Sequence, residues 1–146
     1  AHYLDEAGVA TLARHGTAPI RLHYHVVRIG RAAGRAHRDP FSITLLAVTK
    51  IFPASVIREA YDLGLREFGE NYAQECAAKA AELAGLSGLE WHFIGHLQSN
   101  KAKAAVGLFT LIHGVDSLKL AQALETAAAQ TGSGSTPRRA WRIVAT

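Results

Sequence analysis

From residue 43 onward, short apolar runs alternate with segments that have a helical period. The apolar runs are rich in β-branched and aromatic residues and so favour strands, whereas the segments between them place apolar residues on one helical face. Strands that alternate with helices at this spacing predict right-handed βαβ units, and therefore an α/β fold built on a parallel sheet. Strands are predicted at 42–50, 66–69, 90–95, 109–115 and 141–145, and helices at 55–63, 72–83, 99–106 and from 116 or 117 onward.

Three of the predicted helices carry a readable apolar face. In the helix at 55–63 Ile57, Ala60 and Tyr61 are expected to share one face. In the helix at 72–83 the inward residues are expected to be Tyr72, Cys76, Ala80 and Leu83. In the last helix they are expected to be Leu120, Leu124, Ala127 and Ala128. Glu75 and Lys79 stand four positions apart, a spacing that lets opposite charges support a helix. Asp116 or Ser117 is predicted to cap the last helix, since both residue types accept hydrogen bonds from free amide groups.

The amino-terminal segment is less regular than the rest of the chain. Residues 1–27 show no clear period, and Gly16 and Pro19 are expected to interrupt any helix there. A helix is predicted at 26–38 and ends at Asp39-Pro40. We therefore expect one domain, 1–146, made of an atypical segment at 1–27 and an α/β unit at 28–146. The run TGSGS at 131–135 predicts a flexible loop.

Composition narrows the class of protein. The 146 residues are enough for one domain, and the net charge of +4 is too small to indicate a nucleic-acid partner. No run is long enough for a membrane-spanning helix, and the single cysteine, Cys76, fits a reducing cytoplasm. Because the chain has no Met at position 1, we expect a processed product or a piece of a longer protein.

Polar residues follow the carboxyl ends of the predicted strands, where parallel sheets collect their ligands. These residues are Lys50, Glu70, Asn71, His96, Gln98 and Asp116. Lys50 admits two interpretations. A desolvated lysine has a lowered pKa and can form a Schiff base, whereas a lysine at a strand end can also extend its charged group into water.

Several common sites are not indicated by the sequence. Neither the phosphate-binding pattern GxxxxGK[ST] nor a GxGxxG that follows a strand is present. His23 and His25 could face one side of a strand, but no third ligand accompanies them. We therefore predict no metal site.

Four ordered motifs carry a resemblance to a known family. They are LAVTK at 46–50, FGENY at 68–72, WHFIGHLQSNK at 91–101 and VDSLKLA at 115–121. Together they resemble the pyridoxal phosphate homeostasis protein family, whose members are single-domain relatives of the alanine racemase barrel domain. The resemblance extends over residues 31–124.

The resemblance implies a TIM-type barrel that binds pyridoxal 5′-phosphate. Lys50 matches the lysine that holds the cofactor as a Schiff base, Asn71 matches a polar position facing the cofactor, and His92 lies on the third strand of the site. Trp91 and Phe93 are expected to be packing residues. The family is implied to be a carrier and regulator of its cofactor rather than an enzyme, so we assign no catalytic residue.

Two alternatives stay open. The first is an amino-acid racemase-like enzyme domain, which needs an acid and a base on opposite faces of the cofactor; no residue here matches the second group. The second is a remnant that binds no cofactor.

The chain departs from the family at its ends. A (β/α)₈ barrel typically needs about 250 residues and binds phosphate through loops after its late strands. This chain stops near the fifth predicted strand, which implies a partial barrel without the phosphate loops. Because five parallel strands cannot close a barrel, we expect either self-association through open sheet edges or coverage of the open side by residues 1–27.

Overall fold

Five short strands form one parallel sheet in which each strand pairs with the next strand along the chain. The computed structural model describes the backbone of residues 17–131 and 142–144 and the side chains of residues 25–131. The strands are β1 (Ala47–Val48), β2 (Glu67–Glu70), β3 (Glu90–Phe93), β4 (Leu111–His113) and β5 (Arg142–Val144). The helices are α1 (Thr17–Arg35), α2 (Ala54–Asp62), α3 (Ala73–Glu82), α4 (Ala102–Leu108) and α5 (Leu118–Thr131), with 3₁₀ turns at Pro40–Ser42 and Ser99–Lys101. The predicted α/β class and parallel sheet are confirmed.

One helix starts much earlier than the sequence pattern predicts. Residues 17–27 belong to α1, so the part of the atypical segment that the structure describes is helical. Pro19 does not interrupt the helix because it lies in the first turn, where the missing N–H of proline costs no hydrogen bond. His23 and His25 therefore lie on a helix and not on a strand. Residues two apart on a helix do not face each other, which argues against the metal clamp considered for them.

The first strand is much shorter than predicted. The run at 42–50 contains a strand only at Ala47–Val48, because Pro40–Ser42 forms a 3₁₀ turn that the Asp39 carboxylate caps by accepting from the Phe41 amide at 2.9 Å. Thr49 still donates its amide to the Gly69 carbonyl, at 3.0 Å. Lys50 therefore lies in a turn just beyond the strand.

The hydrophobic core lies between the sheet and helices α2 to α5. The strands contribute Phe68, Trp91, Phe93 and Ile112. The helices contribute Ile57, Cys76, Ala105, Leu120, Leu124 and Ala127, and Leu83 joins them just after α3. The rings of Phe68 and Trp91 have centroids 6.1 Å apart, which confirms Trp91 as a packing residue. Phe93 is likewise a packing residue and contacts Phe109 edge to face, at 5.1 Å.

The predicted helix faces are mostly confirmed. Tyr72 is the exception: it lies just before α3 and its surface is 64% exposed, so it does not belong to the inward stripe. Ser117 is the residue that caps α5, since its hydroxyl oxygen accepts from the Leu120 amide at 3.2 Å. Ala128 is only partly buried at the edge of the core.

β1 and β5 are the two ends of the described sheet. The loop predicted at 131–135 lies outside the described residues from 132 onward, as do residues 1–16. None of the described helices is long and apolar enough to cross a membrane.

Candidate functional site

The two faces of the sheet have different characters. Phe68 and Glu70, two residues apart on β2, are both fully buried, and the Glu70 carboxylate hydrogen-bonds to groups on the helix-covered side. Because side chains alternate along a strand, Gly69 and Asn71 belong to the opposite face. The register aligns Val48 of β1 with Gly69 and aligns Gly69 with His92 of β3. This second face, the inner face, carries the residues predicted for the site.

Lys50 is exposed and lies in the tight turn that follows β1. The Thr49 carbonyl accepts a hydrogen bond from the Phe52 amide at 3.0 Å, which makes Lys50 and Ile51 the two central residues of the turn. The Thr49 hydroxyl points to the helix-covered side and donates to Glu70 at 2.7 Å. Lys50 follows Thr49 directly, at the carboxyl end of the sheet.

Exposed apolar side chains surround Lys50 and Asn71 in sequence. Val48 is 49% exposed, Ile51 82%, Phe52 47% and Tyr72 64%. Large apolar groups that lie together at a surface mark a binding site or a contact with other protein. Four large apolar side chains next to Lys50 and Asn71 in the sequence are thus open to the surface.

Asn71 is held by a close approach between two strand exits. A side chain on Gly95, which follows β3, would collide with the Asn71 carbonyl oxygen and lie 3.0 Å from the Asn71 Cα atom. The Ile94 amide donates to the Glu70 carbonyl at 2.9 Å, which ties the same two segments together. Glycine at position 95 thus lets the backbone of Asn71 lie directly against the third strand.

His92 lies on the inner face, lower on the sheet than Lys50 and Asn71. Its Nε2 atom is 2.6 Å from the Glu67 carboxylate, and its Nδ1 atom is 3.3 Å from Nε2 of His113 on β4. Burial and the neighbouring His92 lower the pKa of His113. Both ring nitrogens of His92 thus have partners among the protein's own side chains, and the structure does not bring His92 level with Lys50.

The same region contains the residues best arranged to hold a metal ion. Within the described part of the chain, ligand atoms of Glu67, Glu90 and His92 lie within 4.8 Å of one another. The hydrogen bond between Glu67 and His92 already accounts for two of the three groups. The sequence-based prediction of no metal site stays a prediction.

A buried polar cluster lies behind Lys50, on the helix-covered side. Lys79 of α3 donates to Glu70 at 2.8 Å, to Glu75 at 2.8 Å and to the Thr49 carbonyl at 3.0 Å. Burial alone would lower the pKa of Lys79, but its hydrogen bonds to Glu70 and Glu75 outweigh burial and raise that pKa. The hydrogen bond from Lys79 in turn lowers the pKa of Glu75 against the smaller, opposite effect of burial.

Sequence reasoning found only part of this cluster. It paired Glu75 with Lys79 but treated the pair as helix support, and it placed Glu70 at the rim. The alternation of side chains along β2 indicates that Glu70 is buried. Phe68 and Glu70 lie on the same face of the strand, and Phe68 must point into the core. Cys76, next to this cluster, is fully buried in the hydrophobic core, and burial raises the pKa of its thiol to about 12.

The remaining predicted rim residues line a separate opening after β3 and β4. His96 and Asp116 are both exposed and lie 3.3 Å apart. With Gln98 they border an open cavity of about 630 Å³, whose wall also includes Leu97, Ser99, Asn100, Ser117 and Lys119. The structure thus separates the six predicted rim residues. His96, Gln98 and Asp116 border this cavity, Glu70 belongs to the buried cluster with Lys79, and Lys50 and Asn71 follow the paired strands β1 and β2.

Curated relatives of the chain carry one name. The pyridoxal phosphate homeostasis protein of Pseudomonas aeruginosa is 55% identical over 97 residues, which are 66% of this chain and 42% of that protein. Its Escherichia coli counterpart is 50% identical over 99 residues, again 66% of this chain and 42% of that protein. The Bos taurus protein of that name is 42% identical over 114 residues, or 73% of this chain and 41% of that protein. The chain spans less than half the length of these relatives.

Solved structures are also similar to this chain. PipY of Synechococcus elongatus, solved with PLP bound, is 44% identical, has a TM-score of 0.62, and shares a region covering 78% of this chain and 57% of PipY. A protein of unknown function from Bifidobacterium adolescentis is 31% identical, with a TM-score of 0.71 over 90% of this chain and 55% of that one. No model of a protein family matches the chain. The comparisons confirm what the four motifs indicate: across about 66% of its residues, this chain is a homologue of the pyridoxal phosphate homeostasis proteins.

Proposed function

We propose that this chain is the cofactor-binding part of a pyridoxal phosphate homeostasis protein and that it holds pyridoxal 5′-phosphate as a Schiff base on Lys50. The observation that carries the proposal is the likeness to PipY, which was solved with PLP bound and is 44% identical. The placement of Lys50 supports it: an exposed amine at the carboxyl end of a parallel sheet, where such folds collect ligands. When bound, the cofactor supplies an aldehyde that reacts with amines.

The residues at the rim fit a flat, partly apolar ligand that carries a reactive aldehyde. Val48, Ile51 and Phe52 offer apolar surface beside the amine. Asn71 lies at the neighbouring strand exit, where its amide can donate and accept hydrogen bonds. We assign Asn71 to direct contact with the cofactor. His92 we assign to the floor of the site, since its ring is engaged by Glu67 and His113.

We further propose that the five strands are one part of a TIM-type barrel. The order β1 to β5 follows the chain, as barrel strands do, and β1 and β5 are the ends of the described sheet. Additional strands or a second copy of the chain would pair with these two ends. The phosphate-binding residues of a complete barrel are expected on its late strands, beyond the part of the relatives that this chain matches.

Lys50 is the residue whose loss tests the function most directly. After incubation with pyridoxal phosphate and reduction with borohydride, we expect mass spectrometry to find the adduct on Lys50 in the wild-type chain. Lys50→Ala should lose the adduct and its visible absorbance, because no other amine occupies that turn. Lys103→Ala, a change at an exposed residue of α4, should keep both. An adduct on a different lysine, or none in the wild type, would refute the proposal.

The same spectra separate the two supporting residues. We expect Asn71→Ala to shift the cofactor absorbance clearly, because it removes a polar group at the strand exit beside Lys50. We expect His92→Ala to have a smaller effect on the absorbance, since His92 lies lower on the sheet than Lys50 and Asn71. We expect Lys103→Ala to have no effect. Spectra that are the same for all three variants would remove Asn71 and His92 from the site. Circular dichroism of each variant checks that the fold is retained.

A further inference from the structure

We propose that Glu75 and Lys79 are positioning residues for Lys50, acting through the backbone from the opposite side of the sheet. The inference rests on the proposed function only in treating Lys50 as the cofactor lysine. The two side chains project from successive turns of α3 and form an ion pair at 2.8 Å. They contact the residues immediately before and after Lys50.

Each member of the ion pair holds one end of the Lys50 segment. Lys79 Nζ donates to the carbonyl oxygen of Thr49 at 3.0 Å. Glu75 Oε1 accepts from the amide of Ile51 at 3.1 Å. The peptide group entering Lys50 and the one leaving it are therefore anchored to the same pair of charges. Hydrogen bonds to charged groups are stronger than those between neutral groups, which suits them to fix a short turn.

The turn needs such an anchor because its backbone is unfavourable for its sequence. Ile51 has a φ of 67°, in the left-handed region that β-branched residues avoid. The hydrogen bond from the Phe52 amide to the Thr49 carbonyl makes Ile51 the third residue of the turn, the position where a type II turn favours glycine. The side chain of Ile51 is 82% exposed, so packing does not hold it there. The Glu75 carboxylate supplies the restraint that packing lacks.

Glu70 prevents the anchor from moving. Its carboxylate is fully buried and accepts from Lys79 at 2.8 Å and from the Thr49 hydroxyl at 2.7 Å. Lys79 is thus held between two carboxylates and a carbonyl and has little freedom to change rotamer. Because the residues of the cluster are held rigidly, they fix the direction of the backbone at Lys50. Supporting residues position a reactive group in the same way.

The test compares Glu75→Ala, Glu75→Gln and Glu82→Ala, a change at an exposed residue on the same helix. Without any cofactor, Glu75→Ala should raise the hydrogen-exchange rate of the Ile51 amide by about tenfold or more and shift the backbone resonances of Lys50. With pyridoxal phosphate, the same variant should bind about tenfold more weakly at Lys50, because the amine is no longer held in place. Glu75→Gln keeps an oxygen that can accept from Ile51 but loses the charge, so it should recover part of both effects.

The outcomes separate this inference from the proposed function. If the wild-type chain forms no adduct on Lys50, the proposed function is wrong. The hydrogen-exchange rate of Ile51 and the resonances of Lys50 would still test the positioning role of Glu75 and Lys79. The positioning role is wrong if Glu75→Ala behaves like Glu82→Ala in those cofactor-free measurements. It is also wrong if Ile51 exchange rises in Glu75→Ala but cofactor affinity stays at the wild-type value, since Glu75 would then support only the fold.

Discussion

Replacing Lys79 with alanine is expected to destabilise the protein by about 3–5 kcal/mol, which is a large part of the stability of an ordinary domain. The substitution leaves the carboxylate of Glu70 fully buried without its cation. One oxygen of that carboxylate, Oε2, already has no hydrogen-bond partner among the described residues. Urea unfolding followed by circular dichroism measures the loss. Lys103→Ala should change the free energy of unfolding by less than about 0.5 kcal/mol.

A double substitution shows whether the buried charge is the cause. Lys79→Met with Glu70→Gln removes both charges and nearly preserves the volume, so it should recover much of the stability lost in Lys79→Ala. If Lys79→Ala unfolds at the same urea concentration as Lys103→Ala, the cluster does not stabilise the fold. If the double variant is no more stable than Lys79→Ala, the unpaired carboxylate is not the cause, and the loss lies in the missing hydrogen bond from Lys79 to the Thr49 carbonyl.

Two glycines are expected to respond to alanine in opposite directions. Gly95→Ala should cost about 1–3 kcal/mol, because the added methyl group meets the backbone of Asn71 and the strand exits must separate. Gly107→Ala should instead stabilise the protein by about 0.5–1 kcal/mol, since Gly107 lies in α4 and the added methyl group meets no atom within 4 Å beyond its chain neighbours and the backbone of its own helix. Thermal unfolding of the two variants measures both effects.

The Gly95 variant also reports on the site. Displacement of Asn71 should weaken cofactor binding in Gly95→Ala, whereas Gly107→Ala should bind as the wild type does. A Gly95→Ala protein with unchanged stability and affinity would show that the two strand exits move apart at no cost, contrary to the close contact described above.

The sequence predicts the order and type of the elements well because the periodicity is strong. β2, β3 and the helices after them lie within a few residues of their predicted positions. The predicted bounds are wrong where contacts with other parts of the fold outweigh the local sequence pattern. The run at 42–50 has the composition of a long strand, yet it pairs only briefly, at one end of the sheet. α1 includes Pro19 because the proline falls in its first turn.

The candidate site was predicted in part for the same reason. Position after a strand indicates the rim, so Lys50 and Asn71 could be chosen from sequence. Side chains alternate between the two faces along a strand, so the face of a rim residue depends on where the strand begins. In a short strand the sequence does not fix that starting point. Glu70 was therefore grouped with Asn71, although the structure turns the Glu70 side chain toward Lys79. The hydrogen bonds of His92 to Glu67 and His113 join three strands, and no local pattern reports them.

The strand order has a consequence for how the chain acquires its structure. In the described sheet each of the four strand pairs joins neighbours along the chain, so none of these four pairings waits for a distant segment. Contacts between nearby segments favour rapid folding, and domains emerge from the ribosome amino terminus first. Each βα unit can therefore dock on the preceding one as soon as it is synthesised.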